Sequence, residues 1–322
     1  MWNFYLLRAG ILSLLVLTWA PLTHAQRYRD FRTSAPLSED QVLIIGFMGG
    51  RESWNNDRRG VRKLALKLRG MNLPGVYVET IENKNRRLAI ELITKAFDRD
   101  RNGRLEEAEK GSVRLIVYGQ SFGGAAVVKL ARQLQKMDVP VLLTVQVDSV
   151  GRSDKVIPAN VARAANLFQR DGFFIKGERE IRAEDPSQTK ILGNFKFDYS
   201  KKKIDLSEVS WLKRLFQTAH TKMDHDPEVW VLVEKMILNV IEEENPKSSN
   251  RISRFESRAS PPVLIHDSAF VRVVSCDFVD RLLASQKMRS TKSHETTRTS
   301  TKARGGEQSG FSRTSAQAAA CW

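Results

Sequence analysis

The sequence predicts an α/β fold, a mostly parallel sheet with helices on both faces. Three observations carry that prediction. Continuous apolar runs of strand length recur between residues 41 and 148. Segments with apolar residues at helical spacing separate them. The chain has 322 residues, 41% of them hydrophobic, enough for one sizeable core. Repeated strand–helix units of this kind pair their strands in parallel and cover both faces with helices.

The elements follow in order. Residues 41–46 (QVLIIG) form an uninterrupted apolar run ending in glycine, as a doubly covered strand should. Val61, Leu64, Ala65 and Leu68 then share one helical face. Residues 76–81 predict a second strand, and Leu88, Leu92, Ile93 and Ala96 a second helix. Residues 113–119 (VRLIVYG) predict a third strand. Val127, Leu130, Ala131, Leu134 and Met137 predict a third helix, and residues 139–148 contain a fourth strand. The stretch 161–199 is less regular, with a strand expected near 165–169. Asp205, with Glu208 three residues on, reads as a capping box for a helix to about Phe216. Asp226-Pro227 opens a last helix, with Asp as N-cap and Pro at its first position.

Three domains are expected: a leader at 1–25, a body at 26–245 and a tail at 246–322. Arg8, the apolar run 11–20, Pro21 and the small residues Thr23 and Ala25 have the pattern of a cleaved signal peptide. The run is shorter than the ~20 residues of a spanning helix. Secretion or export to a periplasm is therefore expected. The tail is rich in Ser, Thr, Arg and Lys, and reads as largely disordered around an apolar island at 263–283. Both cysteines, Cys276 and Cys321, fall there, which excludes a disulfide-stapled body. The net charge of +15 is shared: +7 in the tail, +1 in the leader and +7 in the body. Nucleic acid is thus not an expected partner of the body. Peripheral contact of the basic tail with a membrane or cell envelope is an expectation.

Gly119-Gln120-Ser121-Phe122-Gly123 matches G-x-S-x-G. An apolar strand runs directly into it and an amphipathic helix opens directly after it. That is the strand–sharp turn–helix on which a nucleophilic serine is presented. On these residues the chain resembles the α/β-hydrolase family, in particular its secreted lipase- and esterase-like members, over about residues 41–241. The resemblance implies an α/β-hydrolase-like sheet, a Ser–acid–His order and two oxyanion donors.

A serine hydroxyl needs a neighbouring base, most often His. His24 falls in the leader, and His266 and His294 in the tail. His220 and His225 remain, both in the expected loop 219–226 before the last helix, where the family places its histidine. His220 is favoured, because His225 adjoins the helix cap Asp226. Asp148 closes the apolar strand VLLTVQV, and strand carboxyl ends line the active edge of a parallel sheet. It is the first candidate for the acid, with Asp171 second and Asp154 third. The family resemblance assigns one oxyanion N–H to Phe122 and the other to a loop after an early strand. Here that loop is expected at 46–50, with Phe47 or Met48 as donor.

Residues 98–109 (DRDRNGRLEEAE) fit a twelve-residue calcium loop. Asp98, Asp100 and Asn102 stand at positions 1, 3 and 5, and Gly103 at the sharp turn. Arg104 stands at the backbone-carbonyl position and Glu109 at the bidentate position 12. A helix precedes this EF-hand-like loop, but none is expected after it. Calcium, if bound, is expected to be structural, bracing the strand that leads to Ser121.

The expected function is a serine esterase or lipase acting on a small-molecule or lipid ester through Ser121, His220 and Asp148. Its chemistry needs no cofactor. The rival expectation is a non-catalytic, calcium-binding envelope protein on the same scaffold.

Overall fold

The computed structural model describes residues 25–171, 175–207, 209, 218–245 and 251–252. The chain divides into two compact units, residues 1–264 and 265–322, and every described residue lies in the first. The leader up to residue 24, most of the helix expected from Asp205 and, apart from 251–252, the basic tail with both cysteines lie outside the described residues.

Six strands form one sheet in the order β2-β1-β3-β4-β6-β8, every neighbouring pair parallel. They are β1 (Val42–Met48), β2 (Val76–Glu82), β3 (Leu115–Gln120), β4 (Val141–Val147), β6 (Val161–Gln169) and β8 (Lys190–Phe197). β5 (Val156–Ile157) and β7 (Arg182–Ala183) make a separate two-stranded parallel ladder. Every residue of β1 and β3 is buried, as a central parallel strand covered on both faces requires.

Helices cover both faces. On one, α2 (Arg86–Phe97) and α4 (Phe122–Gln135) pack against the sheet. Leu92, Ile93, Leu130 and Leu134 there join Leu43, Ile45, Phe47, Leu115 and Val117 in one buried cluster. On the other face lies α1 (Gly60–Gly70), which contacts α6 (Pro227–Glu244). The buried Tyr118 points to this side, its hydroxyl donating to the Val61 carbonyl at 2.9 Å. The alternation along each strand thus feeds two apolar layers. This is an α/β-hydrolase-like fold. Among the described residues, no helix is long and apolar enough to cross a membrane.

Two strands of the main sheet depart from expectation. β8 was not read in the sequence. Its Lys190, Gly193, Asn194 and Lys196 interrupt the apolar pattern, which an edge strand tolerates because one flank faces solvent. β1 runs two residues past Gly46, so Phe47 and Met48 are fully buried strand residues and the turn begins at Gly49.

The strand order also fixes where a site can form. From β1 the chain moves to β2 on one side and to β3 on the other. The carboxyl ends of β1 and β3 therefore flank a topological switch point, where open α/β sheets bind ligands.

Candidate active site

β3 ends at Gln120 and α4 begins at Phe122, which leaves Ser121 alone on the corner with φ 58°. A non-glycine residue there is strained, at a cost of order 1–3 kcal/mol. Backbone bonds hold it in place. Ser121 N donates to the Val147 carbonyl at 2.9 Å, and Val150 N donates to the Ser121 carbonyl at 3.1 Å. The flanking glycines are required by close approach. A Cβ on Gly123 would stand 2.1 Å from the Phe47 carbonyl oxygen, and one on Gly119 2.5 Å from the Gly123 carbonyl oxygen.

His220 and Asp148 converge on this corner. His220 Nε2 lies 3.0 Å from Ser121 Oγ, and its Nδ1 lies 2.6 Å from Asp148 Oδ2. With the ring proton on Nδ1 donated to the carboxylate, the Nε2 lone pair faces the serine hydroxyl. Asp148 is fully buried, follows β4 directly and has φ 44°. His220 was expected in a loop. It lies instead in the first turn of a short helix, α5 (Ala219–Asp224), whose N-cap Thr218 Oγ1 accepts from Thr221 N at 3.2 Å. Asp226 caps α6 as expected, its carboxylate accepting from Glu228 N at 3.1 Å. That carboxylate also accepts from the Tyr199 hydroxyl at 2.7 Å. Burial and this hydrogen bond push the Tyr199 phenol up, so it stays neutral.

The other candidates stand apart from the serine. His225 lines a separate hollow of about 260 Å³ between α1 and α6, its Nε2 3.7 Å from Asp224. Asp171 accepts from Tyr199 N at 2.6 Å. Asp154 accepts from the Ser149 hydroxyl.

Ser121 opens into a cleft of about 500 Å³. Phe122 and Ile175 are the exposed apolar side chains on its lining, 53% and 37% accessible. Gly49, Gly50, Arg51, Glu52 and Arg59 line it from the β1 side. Phe47 pairs with Gly119 of β3, and Met48 with Glu82 of β2, so both belong to the sheet rather than to the expected loop. The first cleft-lining backbone past β1 is Gly49-Gly50. Phe122 opens α4, and the first N–H groups of a helix have no intrahelical partner.

The sequence reading missed three groups here. Gln120 places its Nε2 3.4 Å from His220 Nε2. Arg59 joins Glu52, past the end of β1, to Asp224 at the end of α5, the latter at 2.8 Å. Burial alone would lower the Arg59 pKa, but the hydrogen bonds and charges of these two carboxylates outweigh it and raise it. Gln169 bonds the Asp148 carboxylate. Gln120 fills a variable position of G-x-S-x-G and Gln169 closes a strand at its carboxyl end, but neither pattern assigns them a role.

The segment 98–109 lies at the opposite edge of the sheet, between α2 and β3. Ligand oxygens of Asp98, Asp100 and Glu109 all lie within 4.8 Å of one another. Asp98 accepts from Asn102 N at 3.0 Å and Gly103 N at 2.7 Å. Glu109 accepts from Arg99 N at 2.7 Å and Glu106 N at 3.1 Å. Arg104 N donates to Asn102 Oδ1 at 2.9 Å. Burial pushes the Asp98 carboxyl up, but bonds from Gly103 N–H, from Asp100 and from Asn102 N–H outweigh it and hold it below the usual carboxylate range. A single helical turn, α3 (Glu107–Lys110), begins within the last residues of the loop, where no helix was expected. Three carboxylates are an all-oxygen set of the kind a hard divalent cation such as Ca²⁺ takes, while the Asn102 amide oxygen is already engaged by Arg104 N–H.

Comparison with known proteins adds little to these observations. No family model matches the chain, and no curated protein matches it. Among solved structures, it is similar to a novel cutinase-like protein from Cryptococcus sp. at 14% identity and a TM-score of 0.31. That match covers 62% of this chain and 95% of the other. The fold assignment rests on the strand order and the helix placement instead.

Proposed function

We propose that this chain is an exported serine hydrolase of carboxylic esters. The carrying observation is the unbroken hydrogen-bonded chain Ser121–His220–Asp148 at the mouth of the cleft. Ser121 Oγ attacks the acyl carbonyl carbon while His220 Nε2 takes its proton. Asp148 holds the Nδ1–H tautomer and stabilises the imidazolium. The tetrahedral oxyanion is met by the Phe122 N–H and by the backbone of Gly49-Gly50. Collapse breaks the ester C–O bond, and His220 returns the proton to the departing alcohol. Water, deprotonated by the same nitrogen, then attacks the acyl-enzyme. The acid leaves and the serine is restored. Phe122 and Ile175 offer the acyl or alcohol group an apolar footing.

Two further proposals belong to this reading. Export is supported by the signal-peptide pattern, and the body begins directly after it, with Gln26 buried and its amide donating to the Thr80 carbonyl at 2.8 Å. The 98–109 loop binds one structural Ca²⁺. β3 spans six residues at about 3.3 Å each, so an ion there sits roughly 20 Å from the serine and takes no part in the chemistry.

The test is turnover of p-nitrophenyl esters of increasing chain length by the full chain, with Ser121→Ala alongside. Turnover lost in the variant, at an unchanged melting temperature, supports the reading. A well-folded wild type without turnover contradicts it.

A further inference from the structure

Asp148 is a fully buried carboxylate, and a buried charge needs donors. His220 Nδ1 supplies one, at 2.6 Å from Oδ2. Gln169 supplies two more. Its side-chain Nε2 donates to Oδ2 at 3.0 Å, and its backbone N–H to Oδ1 at 3.3 Å. Gln169 is itself fully buried and ends β6, the strand beside β4. Its Nε2 also donates to the Ile175 carbonyl, at 2.9 Å. Both amide hydrogens are thus committed to acceptors. Turning the amide over would set its oxygen against a carboxylate and a carbonyl, so one orientation is strongly favoured.

The segment held by Ile175 also closes on the acid. A Cβ on Gly177 would stand 2.1 Å from Asp148 Oδ1 and 2.9 Å from its Cα, so glycine is needed for the segment to lie this close. Ile175 in turn lines the cleft beside Ser121.

We propose that Gln169 is a positioning residue: its amide fixes the carboxylate oxygen that orients His220 and ties that oxygen to the Ile175 wall of the cleft. This rests on the hydrolase reading above. The amide touches no reacting atom and acts through Asp148. Losing it lets the carboxylate plane turn, and the imidazole follows. A displacement of about 1 Å in such a group costs about 10²-fold in rate.

The experiment is a double-mutant cycle in the full chain, with kcat and KM measured for p-nitrophenyl butyrate. The variants are Gln169→Met, Asp148→Ala and the double substitution, with fluorophosphonate labelling of Ser121 and a thermal melt for each. The expected result is a kcat about 10²-fold lower in Gln169→Met, with KM within about threefold. In the Asp148→Ala background the same change should cost less than about threefold, because the residue through which Gln169 acts is gone. An equal loss in both backgrounds overturns the proposal, as does a rise in KM alone or an unchanged kcat. Should Gln169→Met fail to fold, Gln169→Asn keeps an amide but falls one methylene short. It should lower kcat in the same direction, and wild-type kcat in it overturns the proposal. A wild type that neither labels nor turns over ester removes the hydrolase reading and this inference together, whatever stands at 169.

Discussion

The two ends of β3 handle carboxylates in opposite ways. Beside its carboxyl end, one buried acid, Asp148, is met by groups from α5 and β6, far away in sequence. Before its amino end, three acids crowd within 4.8 Å, and backbone N–H groups of their own loop satisfy Asp98 and Glu109. The first arrangement holds one charge in a dry place and aims it at a histidine. The second gathers negative charge where a cation could neutralise it. Long-range packing makes the first, and local turn chemistry the second. A substitution should therefore act on rate at one end and on ion-linked stability at the other.

The sharpest way to break that contrast is at the serine. Ser121→Ala should lower kcat by about 10⁶-fold while leaving the thermal midpoint nearly unchanged, as paired rate and melting measurements would show. Asp148→Asn should come next. It keeps the shape but favours the wrong imidazole tautomer, for a loss of about 10⁴-fold in kcat. Gly123→Ala should cost both activity and about 1–3 kcal/mol of stability, because its Cβ would meet the Phe47 carbonyl oxygen at 2.1 Å. Urea unfolding would read the stability loss.

At the other end the effects are smaller and leave rate alone. With a Kd of ~1 mM, ~10 mM calcium should stabilise the wild type by about 1.4 kcal/mol, or roughly 3–6 °C. Asp98→Ala should abolish the shift and keep kcat. Without calcium, the depressed Asp98 pKa also sets a sign. Its stabilisation is present above the ordinary carboxylate range and is lost as pH falls through the folded value. Asp98→Asn should therefore soften the acid limb of a stability–pH curve below about pH 4. An unchanged limb would count against this assignment.

The same contrast explains what the sequence discloses. The twelve residues 98–109 carry their own spacing rule, so the acid cluster is legible without a fold. β1, β3 and β4 are legible because buried parallel strands are largely apolar runs, and β2, at an edge, through Val76, Val78 and Ile81. Ser121 is legible through its glycines and its strand–helix context. His220 and Asp148 are weaker cases, since the contacts joining them span 99 and 72 residues and no local pattern encodes them. Elimination among five histidines and the rule for strand ends single them out. Arg59 bonds Asp224 across 165 residues and leaves no periodic trace. β8 escapes because an edge strand need not be apolar. Phe47 and Met48 read as loop because Gly46 looks like a strand end, yet a glycine inside β1 leaves room for Tyr118, which would lie 2.7 Å from a Cβ there.

The most direct measurement is mass-spectrometric mapping of a fluorophosphonate adduct on the full wild-type chain, with and without heat denaturation. The account predicts one adduct per chain, on Ser121, formed only by the folded protein and slowed strongly in Asp148→Asn. Folded protein that stays unlabelled, or labelling at another residue, would contradict it.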